Sequence, residues 1–415
     1  MLKPRGVFGR APAGDAGRSW RKVWMGSRYR DIKGEDVVII TNARVLAGGK
    51  ILKDAEVLIS GGRIEAVGKG LKGAKKLDAR GALLAPGFVD LHIHGCAGDD
   101  SMDGGDAVRR MAAWLPRTGV TAFLPTTMCD SLENTRGALA GIRRAMENPN
   151  GASVLGAHLE GPFINAARKG AQPERFVKAP SLDAYACLVE GYEALPRVMT
   201  IAPEQEGALE LIEILKDKVA LSAGHTDATC KQFFSAVDFG LTQVTHLFNA
   251  MSPFTHRAPG VAGGALADER VRVQLIADLV HLHPAALKVA WRAKGAAGCL
   301  LITDSMAATG MPDGDYRLGP NLVQVRSGVA RLEGGALAGS TLTLDRAVRN
   351  MVKAVGVPEA EALRMASEYP CDSIGEKERG RIALGCRADL VLLDGDYTPL
   401  ITLVGGETVY RAAGF

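Results

Sequence analysis

Apolar and polar positions alternate with a period of two over Val37 to Val45, Glu56 to Ser60 and Arg63 to Val67, with Gly61-Gly62 between the last two. That pattern predicts short strands and a β-hairpin. The same texture returns at the far end, in Ala388 to Leu393 and Thr402 to Tyr410, beside Gly-containing turns. Between the two ends, apolar strand runs alternate with helical patterns. The strand candidates are Phe88 to His94, Val120 to Thr126, Ser153 to Glu160, Val198 to Ala202, Val219 to Ala223, Gln243 to Phe248, Val271 to Ala277 and Leu300 to Thr303. The helices include Asp106 to Arg117, Asn134 to Glu147, Gly207 to Lys216, Ala228 to Phe239 and Pro284 to Lys294. Strands repeatedly followed by helical crossovers predict an α/β fold of (β/α)8, TIM-type barrel architecture. The β-rich ends predict one small β-sandwich domain, residues 37–85 with 376–415, around a barrel inserted at 86–375. After the last strand come a hairpin-like insertion, Asn321 to Leu332, a loop at Leu337 to Thr341, and helices near Leu344 to Val355 and Glu359 to Ala366. The loop is expected to lie over the site.

At 415 residues and 47% hydrophobic content, the chain can bury one large core and a minor one. No run of eighteen or more apolar residues occurs, and the first thirty residues lack the apolar core of a secretory signal, so the expected location is the cytoplasm. Seven cysteines without a C-x-x-C spacing read as reduced thiols; Cys96 and Cys129, close to motif segments, are expected to be small buried hydrophobes. The net charge of +4 misleads, because residues 1–36 hold nine Lys/Arg against four Asp/Glu and leave the rest near neutral. This Gly- and Arg-rich stretch reads as a poorly ordered basic extension, or as sequence ahead of a start at Met25. The globular part has no basic stripe and is expected to bind neither nucleic acid nor membrane.

The chemistry lies in short runs at the ends of the strand candidates, the side of a parallel barrel where sites form. His92 and His94 are two residues apart on a strand, so their side chains leave one face and can serve one metal ion. His225 and His246 end two other strands, and neutral imidazole suits zinc and similar cations. A buried glutamate at Glu160, in His158-Leu159-Glu160-Gly161-Pro162, would be costly without a neutralising cation, and its two oxygens could bridge a pair of ions. Asp304, at the exit of Leu300 to Thr303, is placed to act as general base and acid beside a metal-activated water. Taken singly, each has a plainer reading, a core histidine in a hydrogen-bond network or a turn cap; the ensemble reads as a metal-dependent hydrolase.

Pro86 to Gly95, His158 to Phe163, and Thr245-His246-Leu247-Phe248-Asn249-Ala250-Met251 together resemble the N-acetylglucosamine-6-phosphate deacetylases of the amidohydrolase superfamily, and the resemblance runs from Val37 to the C-terminus. It implies a metal-bearing barrel beside a small β-sandwich, with Glu160, His225 and His246 as principal ligands and Asp304 as catalytic acid/base. It also implies that Asn249, Ala250, Arg257 and His281 hold the phosphosugar, that Leu337, Ala338 and Gly339 close over it, and that Ala171 and Gln172 contact it. Arg257 can grip phosphate in a bidentate manner, and backbone N–H groups near Asn249 and Ala250 can donate to its oxygens. Some family members carry Gln and Asn in place of His92 and His94 and then a histidine in place of Gln172. The present combination implies a second metal, His92 and His94 included, with Gln172 as a neutral substrate contact.

The implied reaction is hydrolysis of N-acetyl-D-glucosamine 6-phosphate to D-glucosamine 6-phosphate and acetate, in amino-sugar catabolism. Zinc is the first expectation for one or two ions per chain, with iron, manganese or cobalt as alternatives. A homodimer is expected, with His256 or Arg257 reaching a neighbour's phosphate site. The galactosamine epimer of the substrate is the nearest rival. A barrel kept as a non-catalytic scaffold is a more distant one, since such proteins usually lose ligand histidines.

Overall fold

The computed structural model describes residues 37–73 and 75–415; the expected basic extension over 1–36 lies outside the described residues. The barrel strands are Phe88–Ile93, Val120–Thr127, Ala157–Glu160, Pro196–Ile201, Ala220–Ala223, Gln243–Val244, Arg272–Ile276 and Cys299–Ile302. Each pairs in parallel with the next. A bridge between Ile93 and Ser305 closes the ring, supported by Asp304 N–H donating to His92 O at 2.8 Å and His94 N–H to Ser305 O at 2.9 Å. Every residue of Phe88–Ile93 and Val120–Thr127 is buried, which is why both read as apolar runs.

Polar groups inside the barrel are paired with one another. Leu91 O can only accept, so His158 carries its proton on Nδ1 (3.0 Å) and takes the Thr200 hydroxyl proton at Nε2 (2.8 Å). Thr200 Oγ1 must then accept from Thr245 at 2.8 Å, and Thr245 Oγ1 from Ser222 at 2.6 Å. This one-way chain keeps His158 neutral, and burial drives its pKa well below the ordinary imidazole value. His158 is a strut of the barrel and not part of the cluster at its mouth.

The chain ends build one eight-stranded sheet from Val38–Ala47, Lys50–Ser60, Arg63–Gly68, Lys75–Asp78, Leu83–Pro86, Leu390–Leu393, Pro399–Val404 and Glu407–Arg411. The expected sandwich is this sheet curled on itself: Arg63 bridges Arg387, and Ile64 N–H donates to Cys386 O at 2.8 Å. Ile40, Val57, Ile64, Leu84, Leu392 and Ile401 fill the fold between its faces. Gly87 joins sheet to barrel. A Cβ there would lie 2.1 Å from Thr121 Cγ2, so only glycine lets the chain pass this closely between the two layers.

Several elements depart from the periodicity. The strand read over Gln243 to Phe248 ends at Val244, because His246, Phe248 and Ala250 adopt positive φ of 31°, 74° and 48°. Thr402 to Tyr410 is a pair of strands turning at Gly405-Gly406. Helices Leu182–Val189 and Gly260–Ala267 fall outside those read from the sequence. The insertion is a three-stranded sheet, Gly314–Leu318, Asn321–Arg326 and Val329–Leu332, with a small core of its own from Met128, Met306, Leu318 and Val323. Among the described residues, no helix is long and apolar enough to cross a membrane.

Candidate metal centre

Six side chains from five strand ends meet at the barrel mouth. Glu160 Oε1 lies 3.2 Å from both His225 Nε2 and His246 Nε2, and these two nitrogens are 3.2 Å apart. His92 Nε2 and His94 Nε2 are 3.3 Å apart, and Asp304 Oδ1 stands 3.4 Å from the first and 3.3 Å from the second. Glu160 joins the sets, with Oε1 3.3 Å from His92 Nε2 and Oε2 3.1 Å from His94 Nε2. The donors thus form two groups, Glu160–His225–His246 and His92–His94–Asp304. Around a tetrahedral zinc with bonds near 2.0–2.1 Å, ligand atoms lie about 3.3 Å apart, so both triangles match the edges of such a polyhedron. Imidazole nitrogens at that separation cannot all hydrogen-bond to one another, whereas a shared cation satisfies every lone pair. The residues present therefore fit one or two divalent ions.

Local backbone aims these groups. His225, His246 and Asp304 have positive φ of 48°, 31° and 48°, a conformation non-glycine residues rarely hold and one that concentrates at functional sites. His225 Nδ1 donates to Arg168 O at 2.9 Å, which leaves Nε2 facing Glu160. Gln172 braces Glu160: its Nε2 donates to Glu160 Oε2 at 2.7 Å while its Oε1 accepts Cys129 N–H at 2.8 Å. Burial alone would raise the Glu160 carboxyl, but His92, His225 and His246 outweigh it and hold the pKa well below the carboxylate range. Burial likewise opposes charge on Asp304, and His92 and His94 overcome it, so this carboxylate is ionised.

A cavity of about 340 Å³ opens above the cluster, within the range of small-molecule sites. Of the residues read from the sequence as substrate contacts, Ala171, Gln172, Asn249, Ala250, His281, Leu337 and Gly339 line it. Ala338 is fully buried, and Arg257 lies exposed outside the lining. Asn249 lines the cavity from a turn that its own backbone N–H closes by donating to His246 O at 2.9 Å. Gln172 has one amide hydrogen and one lone pair of its oxygen engaged within the protein, which leaves the second amide hydrogen and the second lone pair for a ligand. His281 is paired with Asp278 at 2.7 Å, and although burial opposes charge, that carboxylate raises the imidazole pKa above its ordinary value. Arg168, Met128 and Leu318 also line the cavity. The sequence reading missed Arg168, whose only signal is its position eight residues after Glu160 in a loop that the barrel folds back over its mouth. Cys96 and Cys129 are buried free thiols, and burial pushes both upward in pKa.

The model of the amidohydrolase family matches residues 83–409. The N-acetylglucosamine-6-phosphate deacetylase of Bacillus subtilis is 36% identical over 384 residues, covering 91% of this chain and 96% of its own. The N-acetylgalactosamine-6-phosphate deacetylase of Escherichia coli O157:H7 is 41% identical over 316 residues, 75% of this chain and 84% of its own. Among solved structures, a mutant N-acetyl-D-glucosamine-6-phosphate deacetylase from Mycobacterium smegmatis, in complex with N-acetyl-D-glucosamine 6-phosphate, matches with a TM-score of 0.85 and 35% identity over 90% of this chain and 100% of that one. The chain belongs to the amidohydrolase family, in the branch formed by the N-acetylhexosamine-6-phosphate deacetylases.

Proposed function

We propose that this protein hydrolyses N-acetyl-D-glucosamine 6-phosphate to D-glucosamine 6-phosphate and acetate. The observation that carries the reading is the convergence of Glu160, His225 and His246 beside His92, His94 and Asp304, beneath a cavity lined by His281 and Arg168. We assign Glu160, His225 and His246 to one divalent ion and His92 and His94, with Asp304 alongside, to a second. Zinc is the first candidate and iron, manganese and cobalt the alternatives. Such ions, when bound, acidify water and polarise the amide carbonyl.

The chain's own residues supply the remaining steps. The Asp304 carboxylate takes a proton from the attacking water and returns it to the amine nitrogen as the C–N bond breaks. Acetate and the free amine leave, and the carboxylate is ready again. His281, whose charged form Asp278 favours, offers positive charge to the phosphate, and Arg168 stands at the rim with its guanidinium paired to Asp227 at 2.7 Å. The remote binding energy of the phosphate orients the amide over the cluster. Gln172 holds Glu160 in place, and Leu337 and Gly339 narrow the mouth. We further assign residues 86–375 to the catalytic domain and 37–85 with 376–415 to its supporting domain, and place the protein in the cytoplasm. His256 and Arg257 are exposed, beside the 54% exposed Phe254, which supports a homodimer in which they reach a neighbour's phosphate. Mixing two inactive variants, one in Arg257 and one in Asp304, tests this: restored activity supports shared sites, and its absence contradicts them.

The relative that acts on the galactosamine epimer is as similar as those acting on the glucosamine sugar, and this favours a second reading with the epimer as substrate. Acetate release from the two phosphosugars decides between them. The reading predicts a higher kcat/KM for the gluco epimer; a preference for the galacto epimer would replace it, and metal-replete protein that hydrolyses neither would contradict both.

A further inference from the structure

One histidine of the cluster is tied to the opposite end of the barrel. His92 Nδ1 lies 3.3 Å from Gln274 Oε1, Gln274 Nε2 lies 3.2 Å from Gln243 Oε1, and Gln243 Nε2 lies 3.3 Å from Ser373 O. Gln274 and Gln243 are 0% and 1% exposed and sit on adjacent barrel strands. A side-chain amide can ordinarily be turned either way. Here a backbone carbonyl fixes it. Ser373 O can only accept, so the amino group of Gln243 faces it and Gln243 Oε1 faces Gln274. That oxygen also only accepts, so Gln274 presents its amino group to Gln243 and its own oxygen to His92. His92 must then carry a proton on Nδ1, and Nε2 is the nitrogen whose lone pair remains for the cluster.

We infer that Gln274, held in orientation by Gln243, is a positioning residue that locks His92 in the tautomer able to ligate the second ion. The proposal rests on the two-ion reading above. It explains why a strand buried among apolar neighbours carries a glutamine at this position, where an unpaired amide would be costly. It also reveals a shared plan. Each group has one anchored imidazole, His92 through Gln274 and His225 through Arg168 O. Each also has one whose Nδ1 has no partner among the described residues, His94 and His246. Anchoring groups of this kind typically account for about 10–100-fold in metal affinity.

The test compares the full-length protein with Gln274→Leu, Gln274→Glu and Gln243→Met. Metal content is read by elemental analysis, zinc affinity by competition with a chelator, and the His92 tautomer by 15N shifts of the metal-free protein. Gln274→Leu is expected to lose about 10–100-fold in affinity for one ion only and to show both His92 tautomers. Gln274→Glu keeps an acceptor for Nδ1–H and is expected to retain the second ion. Gln243→Met frees the Gln274 amide to turn and is expected to weaken the same ion less than Gln274→Leu does. Wild-type affinity for both ions in Gln274→Leu would overturn the proposal, as would unchanged behaviour of Gln243→Met should the leucine variant fail to fold. A wild-type protein holding a single ion would overturn the two-ion reading instead. The tautomer would still judge the relay: a pure Nδ1–H form in wild type alone supports it, and a mixture in wild type overturns it.

Discussion

Asp304 stands closest to the chemistry, with an ionised carboxylate within 3.4 Å of His92 and His94 and a backbone held at φ 48°. Asn at this position keeps the size and loses the proton acceptor, so Asp304→Asn should lower kcat by about 10²–10⁴-fold with metal content near that of wild type. Activity within a few-fold of wild type would remove Asp304 from the proton path. His281 carries a second prediction. Burial disfavours its charge, but Asp278 raises its pKa above the ordinary imidazole value. The protonated form is therefore favoured over that of a free imidazole, and both the stability of the pair and the positive charge offered to phosphate are lost as pH rises through that raised value. KM for the phosphosugar should climb over this window, and in Asp278→Asn the climb should begin at lower pH. A KM profile unmoved by the variant would show that His281 charge plays no part in binding. At this scale the sequence was informative wherever a ligand-type residue ended a strand. It was silent on Arg168, because which groups a loop turns inward depends on hydrogen bonds made only in the fold.

The barrel strands were legible because burial on both faces leaves an apolar run. Their ends were not, since the residues that stop a strand to aim a side chain, such as His246 at φ 31°, look like ordinary strand residues in the sequence. The Leu182–Val189 helix is short and mostly apolar, so its buried stripe of Tyr185, Leu188 and Val189 does not stand out from the apolar residues around it, and Gly260–Ala267 contains three glycines and shows no amphipathic stripe. Glycine matters more directly next to the cluster. Gly161 follows Glu160 at φ 93°, and a Cβ there would lie 2.3 Å from Cys129 Sγ. Gly161→Ala should cost about 2 kcal/mol or more and displace Glu160, lowering metal content as well as the melting temperature. Adding Cys129→Ala removes the clash but not the strained φ, so recovery should be partial. Full wild-type stability in the single variant would show that the contact is easily relieved.

Across the whole molecule, the sheet made by both chain ends braces the barrel through a few specific ties, including Gly87 N–H to Asp389 O at 2.9 Å and Thr402 Oγ1 to Pro116 O at 2.7 Å. The two β-rich ends announced this sheet; its curling did not follow from alternation, because the Arg63–Arg387 bridge joins residues far apart in the chain. Asp389 is 3% exposed, pairs with Arg379 and accepts Gly405 N–H at 2.7 Å. Removing one partner strands the other, so Asp389→Ala should destabilise the protein by about 3–5 kcal/mol in denaturant unfolding; a change below about 1 kcal/mol would mean that Arg379 finds solvent or another acceptor. The central claim is that the imidazoles and carboxylates at the barrel mouth act by holding a cation. Acetate release from N-acetyl-D-glucosamine 6-phosphate, followed before chelation, after chelation and after zinc is returned, tests it most directly. The account predicts loss of turnover with the metal and its recovery on zinc addition; metal-free protein that releases acetate at the original rate would contradict it.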